Sequence, residues 1–245
     1  MKAMIFAAGL GTRMRPLTDT IPKALITVNG ISLLEINIRR LVAAGFTDIV
    51  VNVHHHAEQI ELFIMENAER LGANIVTSDE RELLLDTGGG LQEAAWFFDD
   101  NKPFLVGNAD ILSNIDLKKL YQAHLNDPEA LATFAVQQRE TSRYMLFDDK
   151  MTLHGWLNTK TKAVKTPRLG ATHLAMYSFS CFQVLSPEVL RLMPNKKVFS
   201  MIDIYLHLCP SRTVRGYLHP ADLWCDVGKP EALTEAAALV QQLNF

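Results

Sequence analysis

Cysteine is scarce in this chain of 245 residues: Cys181, Cys209 and Cys225 stand far apart in the second half. An odd, sparse set suits a reducing compartment, and no CxxC or Cys/His spacing signals zinc. Long apolar runs are also missing. No stretch approaches the ~20 residues of a membrane span, and the apolar opening is too short for a signal peptide. The expectation is a cytoplasmic protein with no membrane partner. An excess of one charge is absent too. The formal net charge is −3, which speaks against a dedicated nucleic-acid binder. There is no internal repeat, no low-complexity segment and no Pro/Gly/Ser-rich linker.

Hydrophobic residues make up 48% and charged residues 21%, an ordinary globular mixture with material for a core. Ala3–Ala8 reads as a buried strand, followed by a long loop over residues 9–30. Leu34, Ile38, Leu41 and Val42 mark an amphipathic helix stopped by Gly45. Asp48–Val53 is a second strand. Ile60, Phe63, Ile64, Ala68 and Leu71 give a second helix closed by Gly72. Asn74–Val76 reads as a strand, the residues after Gly88–Gly90 as a helix to Phe98, and Pro103–Val106 as a fourth strand. Such alternation predicts an α/β fold with a parallel sheet covered on both faces. From residue 130 strands dominate: Ala130–Gln137, Tyr144–Phe147, Leu153–Leu157 and Leu174–Phe182. Helices are expected over Pro187–Met193, Ser200–Leu208 and Pro230–Leu243. The chain reads as one domain, residues 1–245, whose halves, 1–125 and 126–245, share a mixed sheet.

Ligands bind beyond the carboxyl ends of strands in such sheets. Gly9, Gly88–Gly90 and Asp110 follow strands and should gather on one edge. The opening motif is Ala7-Ala8-Gly9-Leu10-Gly11-Thr12-Arg13-Met14-Arg15-Pro16, continued by Pro22-Lys23. Two glycines after a strand let backbone N–H groups approach phosphates. Arg13 adds a planar donor set and Lys23 a point charge. The P-loop pattern GxxxxGK[ST] does not occur. The dinucleotide pattern GxGxxG needs glycine at 14, where Met14 stands, and this undercuts a dinucleotide-dependent oxidoreductase. Residues 79–116 are rich in carboxylates, and residues 1–30 are basic. Clustering on solvated faces explains that by itself. Taken singly, Asp110 and Asp226 also fit turns or a helix cap, and Lys23 fits an exposed surface. His54-His55-His56 cannot all face one way on a strand or helix.

The full string through Lys23 resembles the signature of the sugar-phosphate nucleotidyltransferases, the NDP-sugar pyrophosphorylases. The resemblance extends through Leu85-Asp86-Thr87-Gly88-Gly89-Gly90, Asn108-Ala109-Asp110 and Asp226-Val227-Gly228. The length is similar to compact members such as the N-acetylmuramate 1-phosphate uridylyltransferases. The resemblance implies a Rossmann-like three-layer αβα sandwich with a mostly parallel mixed sheet. It implies a nucleotide-binding half at 1–125 and a sugar-phosphate-binding half at 126–245. Ala8, Gly9, Gly11, Thr12, Arg13, Lys23, Gly88, Gly89 and Asp110 would bind the nucleotide. Arg13, Lys23 and Asp110 would serve catalysis, and Asp110 with Asp226 would hold Mg²⁺. The partners implied are a nucleoside triphosphate and a sugar 1-phosphate, and a homodimer stays open.

Two departures stand out. Ala109 occupies a position that is glycine in many relatives. The Glu-Lys-Pro motif of larger relatives is replaced by Asn158-Thr159-Lys160-Thr161-Lys162, which leaves Lys160, Lys162 or Arg143 for the sugar phosphate. Ser180 and Cys181 fall where relatives approach the sugar. Two other readings remain: CMP transfer to phosphocholine, and a silent nucleotide-sugar-binding module with a regulatory role. A dianionic phosphate needs no general base. Cations and a hard metal that relieve anion repulsion therefore suffice for the transfer.

Overall fold

Side chains on successive strand residues point to opposite faces, and this alternation builds the molecule's layers. The computed structural model describes residues 1–220 and 223–243. In order, these form β1 (Lys2–Phe6), β2 (Thr27–Val28), β3 (Ile31–Ser32), α1 (Leu33–Ala43), β4 (Asp48–Val53), α2 (Ala57–Leu71) and β5 (Asn74–Asp79). Next come α3 (Asp86–Glu93), β6 (Phe104–Asn108), β7 (Ile111–Ser113), α4 (Leu117–Leu125) and β8 (Ala130–Gln137). They are followed by β9 (Arg143–Phe147), β10 (Leu153–Asn158), β11 (Ala163–Lys165) and β12 (Ala175–Leu185). The chain closes with α5 (Glu188–Arg191), α6 (Met201–Leu208), β13 (Thr213–Leu218), β14 (Trp224–Asp226) and α7 (Ala232–Val240).

Ala3 and Ile5 of β1, Ile49 and Val51 of β4 and Leu105 of β6 face the core under α1, α2 and α4. Met4, Val50, Phe104 and Val106 face a second core that takes in Leu91 of α3 and Tyr205 of α6. The sheet is therefore the middle of three layers. Its order is β11-β10-β9-β12-β6-β1-β4-β5, with β8 and β13 branching from β12. β6, β1, β4 and β5 pair in parallel, so their carboxyl ends share one edge. β12 joins antiparallel to β6, which carries the same sheet into the second half.

A third apolar cluster fixes the long loop. Met14 is fully buried with Leu112, Cys225, Val227 and Leu239. The residue that breaks the dinucleotide pattern thus pins the loop against β7, β14 and α7. The loop itself is built of three short 3₁₀ turns, at 12–14, 17–19 and 23–25, and the β2–β3 hairpin.

Several boundaries differ from the sequence reading. β5 runs on to Asp79, because Thr77 and Ser78 hide a strand whose apolar pattern stops at Val76. The helix expected to reach Phe98 ends at Glu93 and tightens into a 3₁₀ turn over Ala94–Phe97. α4, β7, β11, β13 and β14 were not anticipated.

Candidate active site

The parallel edge carries a cavity of about 410 Å³ lined by Ala8, Gly9, Lys23, Glu80, Thr87 and Asp110, among others. Gly9 meets open space where a Cβ would be, so its backbone is accessible. Gly11 adopts φ +62°, and a Cβ there would fall 2.7 Å from Thr18 Cγ2. The Thr18 hydroxyl donates to the Gly11 carbonyl at 2.8 Å and closes the turn.

Beneath the loop runs a buried polar brace. The Ala7 N–H donates to Asn52 Oδ1 at 2.7 Å, and Asn52 Nδ2 donates to Glu80 Oε1 at 2.7 Å. The Leu85 N–H donates to Glu80 Oε2 at 3.0 Å. Glu80 is only 2% exposed. Burial pushes its carboxyl up, while the Asn52 and Leu85 donors pull it the other way. A Cβ on Gly90 would lie 2.5 Å from Glu80 Oε1, so glycine is what lets α3 approach this brace.

Two acids meet beside the cavity. Asp226 pairs with Ile111 in the β14–β7 register, and the Val227 N–H donates to the Asp110 carbonyl at 2.9 Å. The Lys23 ammonium forms an ion pair with Asp110. Burial first, and then the Asp110 charge, hold the Asp226 carboxyl above the usual aspartate range; Lys23, Arg13 and Arg139 oppose this. Arg13 reaches the same place: its guanidinium fills the space that a side chain on Gly228 would take, beside Asp226. Among the described residues no cluster of three His, Cys, Asp or Glu could hold a metal. A pair of carboxylates instead fits Mg²⁺, which takes one or two carboxylates together with substrate phosphates.

Asp226 also lines a second cavity of about 280 Å³, shared with Arg139, Arg143, Trp156, Cys181 and Trp224. Cys181 sits at φ +62° where the β12–β8 register shifts. Burial, then Asp110 and Asp226, push its thiol up to about 12, so it stays protonated and is no nucleophile. Ser180 Oγ and His219 Nε2 hydrogen-bond at 2.8 Å. Burial lowers the His219 pKa to about 4.

Ala8, Gly9, Lys23 and Asp110 thus come together in the first cavity. Asp226 and Arg13 join them through Asp110. Gly11 shapes the turn, and Thr12 opens a 3₁₀ turn without lining the cavity. Gly88 and Gly89, expected against the nucleotide, are not among the residues lining the first cavity. Their N–H groups donate to the Phe199 carbonyl at 2.8 and 3.2 Å. A Cβ on Gly89 would fall 2.1 Å from the Lys197 carbonyl oxygen, and one on Gly88 would fall 2.3 Å from the Phe199 ring. Both glycines let the 197–199 segment pack closely. Asp86, Thr87 and Val198 form the wall there.

Arg15 pairs with Asp19 at 3.2 Å on the surface. His54 Nδ1 meets the Glu80 carbonyl at 2.6 Å, His55 and His56 stack on each other, and none of the three lines the cavity. Lys160 and Lys162 are exposed on the β10–β11 turn, whereas Arg143 lies in the second cavity. Asn52, Glu80, Arg139 and Trp224 were missed. Trp224 was findable, because a strand through Asp226 puts residue 224 on the same face. Glu80 and Arg139 follow strand ends and carried no other signal.

Residues 2–153 match the family model described as nucleotidyl transferase. The chain is 32% identical to N-acetylmuramate alpha-1-phosphate uridylyltransferase of Caulobacter vibrioides, over 96% of this chain and 95% of that relative. It is 38% identical to mannose-1-phosphate guanyltransferase of Gibberella zeae, over 98% of this chain and 64% of that longer protein. In fold it is similar to a UDP-glucose pyrophosphorylase complexed with UDP-glucose, with a TM-score of 0.77 at 16% identity, covering 98% of each chain.

Proposed function

Because the chain belongs to the nucleotidyl transferase family, we propose that it transfers a nucleoside monophosphate from a nucleoside triphosphate to a sugar 1-phosphate, giving an NDP-sugar and pyrophosphate. The observation that carries this reading is the Asp110–Asp226 pair. One acid lines each of two cavities, and Lys23 and Arg13 stand beside them. The first cavity suits the nucleotide and the second the acceptor.

In the transfer, an acceptor phosphate oxygen attacks the α-phosphorus. The bond from that phosphorus to the oxygen bridging the β-phosphorus breaks, and its electron pair leaves with pyrophosphate. The attacking oxygen is already ionised, so no proton has to move. Consistent with this, Cys181 of the second cavity stays protonated, and His219, bonded to the neighbouring Ser180, stays neutral. Lys23 and Arg13 offset the repulsion between the two anions, and the loop from Gly9 presents backbone donors to the triphosphate. Mg²⁺, when held by Asp110 and Asp226, would supply further positive charge at the reacting phosphates.

UTP and GTP are the first donors to test, since one relative above is a uridylyltransferase and another a guanyltransferase. Both names carry sugar phosphates, which favours the sugar reading over phosphocholine. The retained Arg13, Lys23, Asp110 and Asp226 speak against a silent module. No helix among the described residues is long and apolar enough to cross a membrane. Three free cysteines fit a cytoplasmic location. Phosphorus NMR of a reaction mixture tests the proposal. Equimolar pyrophosphate and a diphosphate ester should replace the triphosphate signals, whereas orthophosphate release would indicate hydrolysis and sink it.

A further inference from the structure

Lys23 and Asp110 pair in the first cavity but come from separate elements, Lys23 from the long loop and Asp110 from the β6–β7 turn. Catalysis by placed charges needs that spacing held closely. The backbone supplies part of the hold. The Ala109 N–H donates to the Phe6 carbonyl at 3.0 Å, and the Val227 N–H donates to the Asp110 carbonyl at 2.9 Å. Neither bond reaches the loop segment that carries Lys23.

A side chain does. Asn37 of α1 is only 3% exposed. Its helical neighbours are apolar: Leu33 and Ile36 enter the third cluster, and Leu34, Ile38 and Leu41 enter the core between α1 and the sheet. Packing alone would favour another apolar residue at this position. Asn37 Nδ2 instead donates to two carbonyls, that of Ala109 at 3.0 Å and that of Leu33 at 3.1 Å. Both partners accept, which fixes the orientation of the amide. Its Oδ1 is buried with no partner among the described residues. The amide therefore serves through its donor end and burdens the fold at the other.

Leu33 is the link to Lys23. Its N–H donates to the Ile26 carbonyl at 3.0 Å, and the Ile26 N–H donates to the Lys23 carbonyl at 3.1 Å. One amide thus joins the peptide before Asp110 to a short series of bonds that ends at Lys23. We propose that Asn37 is a positioning residue for the transfer, setting the spacing of Lys23 and Asp110 and, through Asp110, the place of the divalent metal. It lines neither cavity. This rests on the transferase reading above.

The test compares wild type, N37L, D110N and the double variant in steady-state pyrophosphate release, with the best donor and acceptor from a panel of triphosphates and sugar 1-phosphates. Leucine keeps the branching of asparagine and removes the donor together with the buried oxygen. N37L should lower kcat about 10- to 100-fold, the effect of a small misplacement, and leave both KM values within about three-fold. Its Tm should stay within about 4 °C of wild type, so the loss is not one of folding. In the D110N background N37L should cost less than about two-fold further, because residues that act through one another are not additive. A kcat for N37L within about two-fold of wild type overturns the assignment, as does a fully additive loss in the double variant, and the transferase reading survives either result. If N37L does not fold, N37A, smaller and equally without the donor, takes its place.

Metal binding gives a readout without turnover. Mn²⁺ titrated in the presence of UTP and followed by EPR should bind about 10-fold more weakly to N37L than to wild type, the scale on which groups behind a metal ligand act. If no acceptor turns over, the transferase reading fails and this titration decides alone. Weaker Mn²⁺ binding by N37L keeps Asn37 as the residue that positions Asp110. Equal binding by both proteins, or none by wild type, overturns it.

Discussion

The guanidinium of Arg13 occupies the space that a side chain on Gly228 would take. A Cβ placed on that glycine would lie 3.0 Å from Arg13 Nη2 and 2.7 Å from Asp226 Oδ1. The first motif of the chain and the last are thereby one construction: a glycine admits a cation to the side of an acid.

Gly228→Ala should therefore displace Arg13 or Asp226 by a few tenths of an ångström. The expected result is a drop in kcat/KM of about 10- to 100-fold, the scale on which small misplacements act on transfer reactions. Thermal stability should change little. A kinetic comparison of the variant with wild type checks this, and wild-type rates would show that the contact is incidental.

The pH dependence follows from Asp226. Burial and then Asp110 raise its native pKa above the unfolded value. A group raised in this way stabilises the fold in acid, and that contribution is lost as pH rises through the native pKa. At neutral pH the facing carboxylates consequently oppose folding. Mg²⁺ should raise Tm at neutral pH and do so less at an acidic pH below that raised native pKa, where Asp226 is protonated. Scanning fluorimetry at both values, with Asp226→Asn as control, measures it. A Mg²⁺ shift retained in full by the variant would remove Asp226 from the metal site.

Glu80 acts through the brace and not through substrate charge. Glu80→Ala would strand Asn52 Nδ2 and the Leu85 N–H in the interior, at a cost of about 2–4 kcal/mol in urea unfolding. Glu80→Gln keeps the shape and turns an amide toward one of the two donors, so about half that loss is expected. Equal stability of all three proteins would mean that solvent reaches the brace.

Gly89→Ala tests the packing role of the triple glycine. The added methyl would meet the Lys197 carbonyl oxygen at 2.1 Å, closer than any packing tolerates. A loss of about 1–3 kcal/mol is expected from overpacking. The donor KM should also rise, because the displaced segment carries Val198 of the first cavity. A shift in donor KM without any loss of stability would instead make Gly89 a direct contact to the donor.

Much of the fold is legible from periodicity. β4 and β8 fall at the expected residues, and α1 and α2 follow their apolar stripes. What failed has a common cause. β7, β11 and β14 span three residues each, too short to show a period. β13 interleaves Arg215 and Gly216 with its apolar residues. At the site, the glycine-rich string located the backbone cradle, but a glycine's reason is invisible in sequence. Gly9 leaves space, Gly11 turns the chain, and Gly88 and Gly89 admit a neighbouring segment. Arg139 gained its place from Trp224, a contact made across the fold.

The most direct test of the account is pyrophosphate release with Mg²⁺, crossing the four ribonucleoside triphosphates and dTTP with a panel of sugar 1-phosphates and phosphocholine, for wild type and Asp110→Asn. The account predicts release that needs both a triphosphate and a sugar 1-phosphate. In Asp110→Asn that release should fall by at least about 10³-fold while the protein stays folded, as the loss of a charge acting at the reacting phosphates implies. Release with phosphocholine alone, or turnover undiminished in Asp110→Asn, would contradict it.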